Sequence, residues 1–110
     1  MTILKPPTAS ERQTLEQIVG IICLRYRLAP EALRSTRQSD CLIHPRQLAM
    51  YVAHYEMGIP STHTAEFFNC SSHATVLHAC EQIRKLLSKS PATKLELLTI
   101  RNQIQQRKAA

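Results

Sequence analysis

Along most of this chain the apolar positions return every three or four residues, the spacing of a half-buried α-helix rather than a strand. The first run places Leu15, Ile18, Val19, Ile22 and Tyr26 on one face. The preceding SERQ pairs Ser10 with Gln13 as a capping box, in which two side chains satisfy N–H groups that the first turn cannot. PEALR begins a short second helix at Pro30, since a proline lacks the N–H that a first-turn residue leaves unpaired anyway. STRQSDCLIH, residues 35–44, breaks the pattern and reads as a loop. A third helix begins near Pro45 and turns Leu48, Ala49, Val52, Ala53 and Tyr55 inward, until Gly58 offers the backbone freedom that ends helices.

In IPSTHTAEFF, Ser61 is expected to cap a short helix that buries Phe67 or Phe68. Asn69 follows; after glycine, asparagine is the residue that best tolerates a left-handed backbone, so a tight turn is expected. SSHATVLHACEQIRKLL then opens with two capping residues, Ser71 and Ser72, and directs Val76, Leu77, Cys80, Ile83 and Leu87 inward. Pro91 breaks that helix, and ATKLELLTIRNQIQQR forms a last one around Leu95, Leu98 and Ile104. No strand pattern or internal repeat appears and only 2 of 110 residues are glycine, so the expected fold is all-α, a compact helical bundle. Short helix, tight turn and longer helix in succession is the order of a helix-turn-helix. The expected layout is one domain over residues 1–110, with a disordered N-terminus over about 1–9 and an extra C-terminal helix over about 92–107.

Charge changes the picture next. Lys and Arg outnumber Asp and Glu by 14 to 8, a net charge of +6, which favours an anionic partner and puts nucleic acid ahead of a membrane surface. No apolar run approaches the roughly 18–20 residues of a membrane span. MTILKPPTAS has too short an apolar core for a signal peptide, so a cytoplasmic, nucleoid-associated location is expected. Cys23, Cys41, Cys70 and Cys80 contain no CxxC pair; Cys23 and Cys80 fall on apolar stripes as small hydrophobes, and reduced thiols are expected. Cys70, His73, His78 and Cys80 could be drawn together as a zinc site, but no second half follows the Cys70–His73 pair at zinc-finger spacing. No metal or other cofactor is therefore expected. Neither paired carboxylates nor an activated nucleophile nor a GxxxxGK[ST] phosphate loop stands out, so enzymatic activity and nucleotide binding are not expected either.

The helix after the turn leads with Ser71, Ser72, His73 and Thr75 and carries no Lys or Arg in that stretch. In a helix-turn-helix this end enters the major groove, where the backbone comes close enough for hydroxyls and a histidine to reach base edges or phosphates. The same residues carry a likeness. HPRQLAMYVA, followed at this spacing by SSHATVLHACEQI, resembles the C-terminal DNA-binding domain of the bacterial replication initiator DnaA, from about Leu15 to Leu87. That family's pattern is a helix containing PRQ-x-A-M and, after the helix-turn-helix, R-D-H-T-T-V-L-H-A. The resemblance implies a helical bundle that reads a short asymmetric duplex site, with the helix-turn-helix in the major groove and a basic-loop arginine in the minor groove. It places Ser71, Ser72, His73 and Thr75 at the major groove, and Arg37, Gln38 and Arg46 along the backbone or minor groove.

The chain also departs from the family. Arg-Asp-His-Thr-Thr is here Ser71, Ser72, His73, Ala74 and Thr75. Gln38 and Asp40 stand where members usually carry Arg or Lys, and Asn69 and Cys70 replace a glycine pair. The ATPase portion is absent, so a stand-alone, divergent relative is expected.

Each feature has a plain structural reading beside the functional one. His78 is read as satisfying a partly buried contact, and Arg46 as a phosphate clamp or a solvated surface charge. Arg84, Lys85 and Lys89 near the end of their helix complement its dipole. The function expected is sequence-preferring binding of double-stranded DNA in replication control or transcription, with replication or transcription proteins as further partners and without a membrane partner. The alternative is a protein-interaction module that kept the scaffold and lost specific DNA binding: Asp40 and Ser72 favour it, while the +6 charge and Thr75 oppose it.

Overall fold

The computed structural model describes residues 4–35 and 39–109. Among them are six α-helices and no strand: α1 (Ala9–Tyr26), α2 (Pro30–Leu33), α3 (Asp40–Tyr51), α4 (Ser61–Phe67), α5 (Ala74–Lys89) and α6 (Pro91–Ala109). The fold is all-α, as the periodicity requires.

Helix α1 starts with a capping box, but one built from Thr8 and Glu11 instead of Ser10 and Gln13. Thr8 N–H donates to Glu11 Oε1 at 3.0 Å, and Glu11 N–H donates to Thr8 Oγ1 at 3.2 Å. A carboxylate is the better partner at the positive end of a helix dipole, and Ser10 lies inside the helix, its carbonyl accepting from Thr14 Oγ1. Leu15, Ile18, Val19, Ile21 and Ile22 are buried below the cap. Arg27, with φ of 56°, ends α1 in the left-handed region, its N–H returning to the Cys23 carbonyl.

Helix α3 begins earlier than expected. It starts at Asp40, and Pro45 is an internal residue. Burial of Leu42 accounts for the extra turn. The proline removes only the bond that would have run back to the Cys41 carbonyl, and Cys41 is exposed, so water can satisfy that group. Past Tyr51 the helix widens into one π-helical turn, Val52–Glu56, marked by the Met57 N–H to Val52 carbonyl bond. The wider turn slips the 3.6-residue phase. Tyr55, expected in the core, is instead 56% exposed and stacks on the buried Tyr51 with ring centroids 5.0 Å apart. Gly58 (φ 72°) completes the turn, and the His54 ring hydrogen-bonds the Ile59 carbonyl across it at 2.7 Å.

Ser61 is the first residue of α4 and does not cap it, since no side-chain cap bond forms there. Phe67 and Phe68 are both buried, edge to face. Helix α5 buries Val76, Ala79, Cys80 and Ile83, whereas Leu77, expected inward, is 45% exposed. The C-terminal helix makes the larger departure: it turns Thr93, Leu97, Ile100 and Ile104 to the core and leaves Leu95 and Leu98 exposed. Apolar residues at 95, 97, 98 and 100 fit two helical faces equally well, and the face continued by Ile104 buries more apolar surface.

Candidate nucleic-acid interface

The turn between α4 and α5 is held from several directions. Asn69 adopts φ of 59°, in the left-handed region its residue type tolerates. Its N–H donates to the Glu66 carbonyl, and Cys70 N–H donates to the Ala65 carbonyl, so the last carbonyls of α4 are satisfied. The Asn69 side chain reaches out of the turn and donates through Nδ2 to the Arg34 carbonyl at 2.9 Å. Arg34 answers in the other direction: its Nε donates to the Phe67 carbonyl at 3.0 Å, and its guanidinium lies 4.0 Å from the Phe67 ring centroid. These contacts fasten the end of α2 to the helix-turn-helix. Arg46 extends the fastening to α3, its Nε donating to the Leu33 carbonyl at 3.1 Å.

Beyond the turn, α5 begins at Ala74, two residues later than a cap at Ser71 would place it. Ser72 still serves the helix start, its Oγ accepting from Ala74 N–H at 3.1 Å. Ser71 makes no such bond; with the helix origin displaced, it stands in the lead-in. Thr75 N–H bonds the Ser72 carbonyl, and Val76 N–H bonds that of His73. The leading N–H groups are thus largely taken up locally, so side chains rather than bare backbone are what this end presents. Ser71, Ser72 and Thr75 are exposed and His73 is half-buried.

The predicted contact residues therefore divide into three sets. Ser71, Ser72, His73 and Thr75 come together at one end of α5. Arg46 lies close by, lining a depression of about 260 Å³ with Ser35, Asn69, Cys70, Ser71 and Thr75. Main-chain carbonyls of Leu33 and Ala32 accept from it, so it is not a freely solvated charge. Burial pushes its pKa down from the ordinary guanidinium value, yet an arginine remains a cation in any protein setting. Burial likewise pushes the neighbouring Cys70 thiol up, against the pull of Arg46. The expectations for Arg37 and Gln38 lie outside the described residues. His78 is exposed, not partly buried.

Sequence reasoning missed Arg34 altogether, because its partners are a carbonyl and a ring that no motif announces. It flagged Asn69 for its backbone but not for the reach of its amide. All four cysteines are free, and among the described residues no group of three His, Cys, Asp or Glu side chains is close enough to hold a metal. No helix among those residues is long and apolar enough to cross a membrane.

Comparison with known proteins agrees with this geometry. Residues 15–83 match the family described as the bacterial dnaA protein helix-turn-helix. The chromosomal replication initiator protein DnaA of Symbiobacterium thermophilum is 30% identical over 87 residues, covering 79% of this chain and 19% of that protein. The protein of the same name from Rhodopseudomonas palustris strain BisA53 is 30% identical over 100 residues, 91% of this chain and 21% of its own length. A third, from Bacteroides fragilis, is 28% identical over 71 residues. The chain spans about a fifth of the length of the first two relatives. With the match running from α1 through the turn and most of α5, the chain belongs to the bacterial DnaA helix-turn-helix family.

Proposed function

We propose that this protein binds duplex DNA with a base preference through α4, the turn and α5, in the control of replication initiation, and that transcription regulation is a second use of the same activity. The observation that carries the reading is the leading end of α5: exposed hydroxyls and a half-exposed imidazole on a turn fastened to α2 and α3. A helix presented this way offers donors and acceptors that can discriminate base edges in the major groove. Ser72 accepts from Ala74 N–H and keeps its own proton to donate. Thr75 and His73 supply further polar groups, and Ser71 reaches toward phosphate.

Arg46 supports the shoulder and adds positive potential beside Ser71 and Thr75 without leaving the carbonyls that hold it. Arg37 and Gln38 take the backbone or minor-groove contacts in this reading. The protein acts by binding, with no chemical step of its own.

Four to six phosphate contacts make log K fall with log salt at a slope near −4 to −5. Selection from random duplexes followed by fluorescence anisotropy tests the proposal. The expected result is an enriched sequence, bound more tightly than a scrambled duplex. Ser72→Asp is expected to move the preference at one base pair toward cytosine, whose N4 donates to a carboxylate. Absence of binding to every duplex at about 50 mM salt, the lower part of the range over which such contacts are strong, would overturn it.

A further inference from the structure

A second surface lies along the later half of α5, where Arg84 is ten residues past the helix start, about 15 Å along the axis at 1.5 Å per residue. There α5, α6 and the end of α3 enclose an open groove of about 450 Å³. Its floor is apolar: Leu87 from α5, Leu97 and Leu98 from α6, with the ring of Tyr51 beneath. Its rim is cationic, formed by Arg84, Lys94 and Arg101. Arg101 is bridged to Glu56. Arg84 and Lys94 meet no carboxylate within ion-pair distance among the described residues. Arg84 instead lies 5.8 Å from the ring centroid of Tyr55, which is 56% exposed.

Two uncancelled cations over a leucine floor select the chemistry of an occupant. A bare phosphate backbone has nothing to set against the leucines, and a purely apolar segment would leave both cations without counter-charge. We propose that this groove docks an acidic amphipathic helix of a partner protein, with apolar side chains on Leu87 and Leu98 and carboxylates on Arg84 and Lys94. The spacing on α6 fits a helix laid in a groove. Lys94 and Leu98 are four residues apart, about one turn and 6 Å, so a carboxylate and an apolar side chain one turn apart on a second helix can meet them together. Because the groove is built from the later part of α5, the occupant leaves the leading end of that helix open, and this site stands whether or not that end reads DNA.

The test is an NMR titration of the full chain, labelled with 15N, using a synthetic capped helical peptide with leucine on one face and glutamate on its flanks. A twin peptide with lysine for glutamate, vesicles containing phosphatidylserine and a short duplex serve as comparisons. Shift changes are expected at Tyr51, at 84–88 and at 94–101, for the glutamate peptide alone. The double variant Arg84→Glu with Lys94→Glu should weaken binding at least tenfold, and Leu98→Asp should do the same while leaving the melting temperature in place, since these side chains are exposed. Equal binding of the lysine twin, shift changes elsewhere, response to vesicles or duplex in place of the peptide, or an unchanged Kd in the double variant would each overturn the assignment.

Discussion

Two seams hold this bundle together, and they use opposite partners for their cations. At the shoulder of the helix-turn-helix, Arg34 donates to the Phe67 carbonyl, Arg46 to the Leu33 carbonyl and Asn69 to the Arg34 carbonyl. At the seam of α6 the acceptors are carboxylates. Glu96 receives Arg25 Nε at 2.8 Å, the Tyr26 hydroxyl and the His44 ring, and Glu56 receives Arg101. Both kinds of bond fix geometry. A carbonyl, however, carries no net charge, so the shoulder bonds leave the arginine charge in place, whereas the carboxylates of the α6 seam cancel theirs. Part of the net +6 is thereby concentrated next to Ser71 and Thr75, where an anionic partner would be met.

The largest effect that would sharpen this contrast is expected from Glu96→Ala. The Glu96 side chain is only 13% exposed and anchors α6 to α1 and α3. Its loss leaves a half-buried tyrosine hydroxyl without its acceptor and removes hydrogen bonds to a charged group, about 2 kcal/mol by the usual scale of such bonds. Urea denaturation should show that loss while the proposed DNA affinity, assigned above to the shoulder and the leading end of α5, changes less than twofold. A fall in affinity as steep as that of a shoulder variant would mean the seams are not separate.

Acid should separate the two seams next. Burial pushes the Glu96 carboxyl up, but the bonds from Tyr26, Arg25 and His44 outweigh it, and the group ends below its ordinary 4.5. Glu11 is also lowered, first by the Thr8 N–H and then, against burial, by His63. A carboxyl lowered by folding adds stability that is fully present above its unfolded value and is lost as pH falls through the folded one. The melting temperature should therefore hold from pH 7 to about 5 and decline below about 4.5. In Glu96→Ala the decline should be shallower, only the Glu11 share remaining. Tyr26, raised by burial and by Glu96, stays a donor throughout this range. An acid profile identical in the two proteins would remove Glu96 from the account.

How much of this was readable in the chain follows from the kind of contact. Helices announce themselves through local spacing, and the core of α1 and the turn at Asn69 were legible for that reason. The start of α3 was not, because the burial of Leu42 outweighs a proline's preference for the first turn. Tyr55 escaped because a π-helical turn changes the phase on which the reading relies. On α6 the apolar pattern fitted two faces, and only the rest of the core could choose between them. The seams were the least legible. Arg25 and Glu96 are 71 residues apart, and Arg34 and Asn69 are 35 apart. A guanidinium that seeks a carbonyl leaves no second side chain to notice. That Ser71, Ser72, His73 and Thr75 gather at the leading end of α5 was legible because turn signals are local, but the cap was not, since α5 starts at Ala74 and only Ser72 accepts from its N–H.

The smallest expected change in stability tests the shoulder itself. Asn69 does two things: it occupies a left-handed backbone at φ of 59° and its amide donates to the Arg34 carbonyl. Replacement by glycine removes the amide but suits the backbone; replacement by alanine removes the amide and adds strain. The strain relieved by glycine is about 1 kcal/mol, and an intramolecular hydrogen bond is worth about 1 kcal/mol. Asn69→Gly should therefore leave the denaturation midpoint nearly unchanged, and Asn69→Ala should lower stability by about 1–2 kcal/mol from the two losses together. The DNA readout separates the two roles. If the amide positions the lead-in to α5, both variants lose discrimination between the selected and scrambled duplexes, whatever their stabilities. Should Asn69→Gly retain full discrimination, the turn's backbone alone would position Ser71 and Ser72, and the bond to Arg34 would be a neutral contact between neighbours.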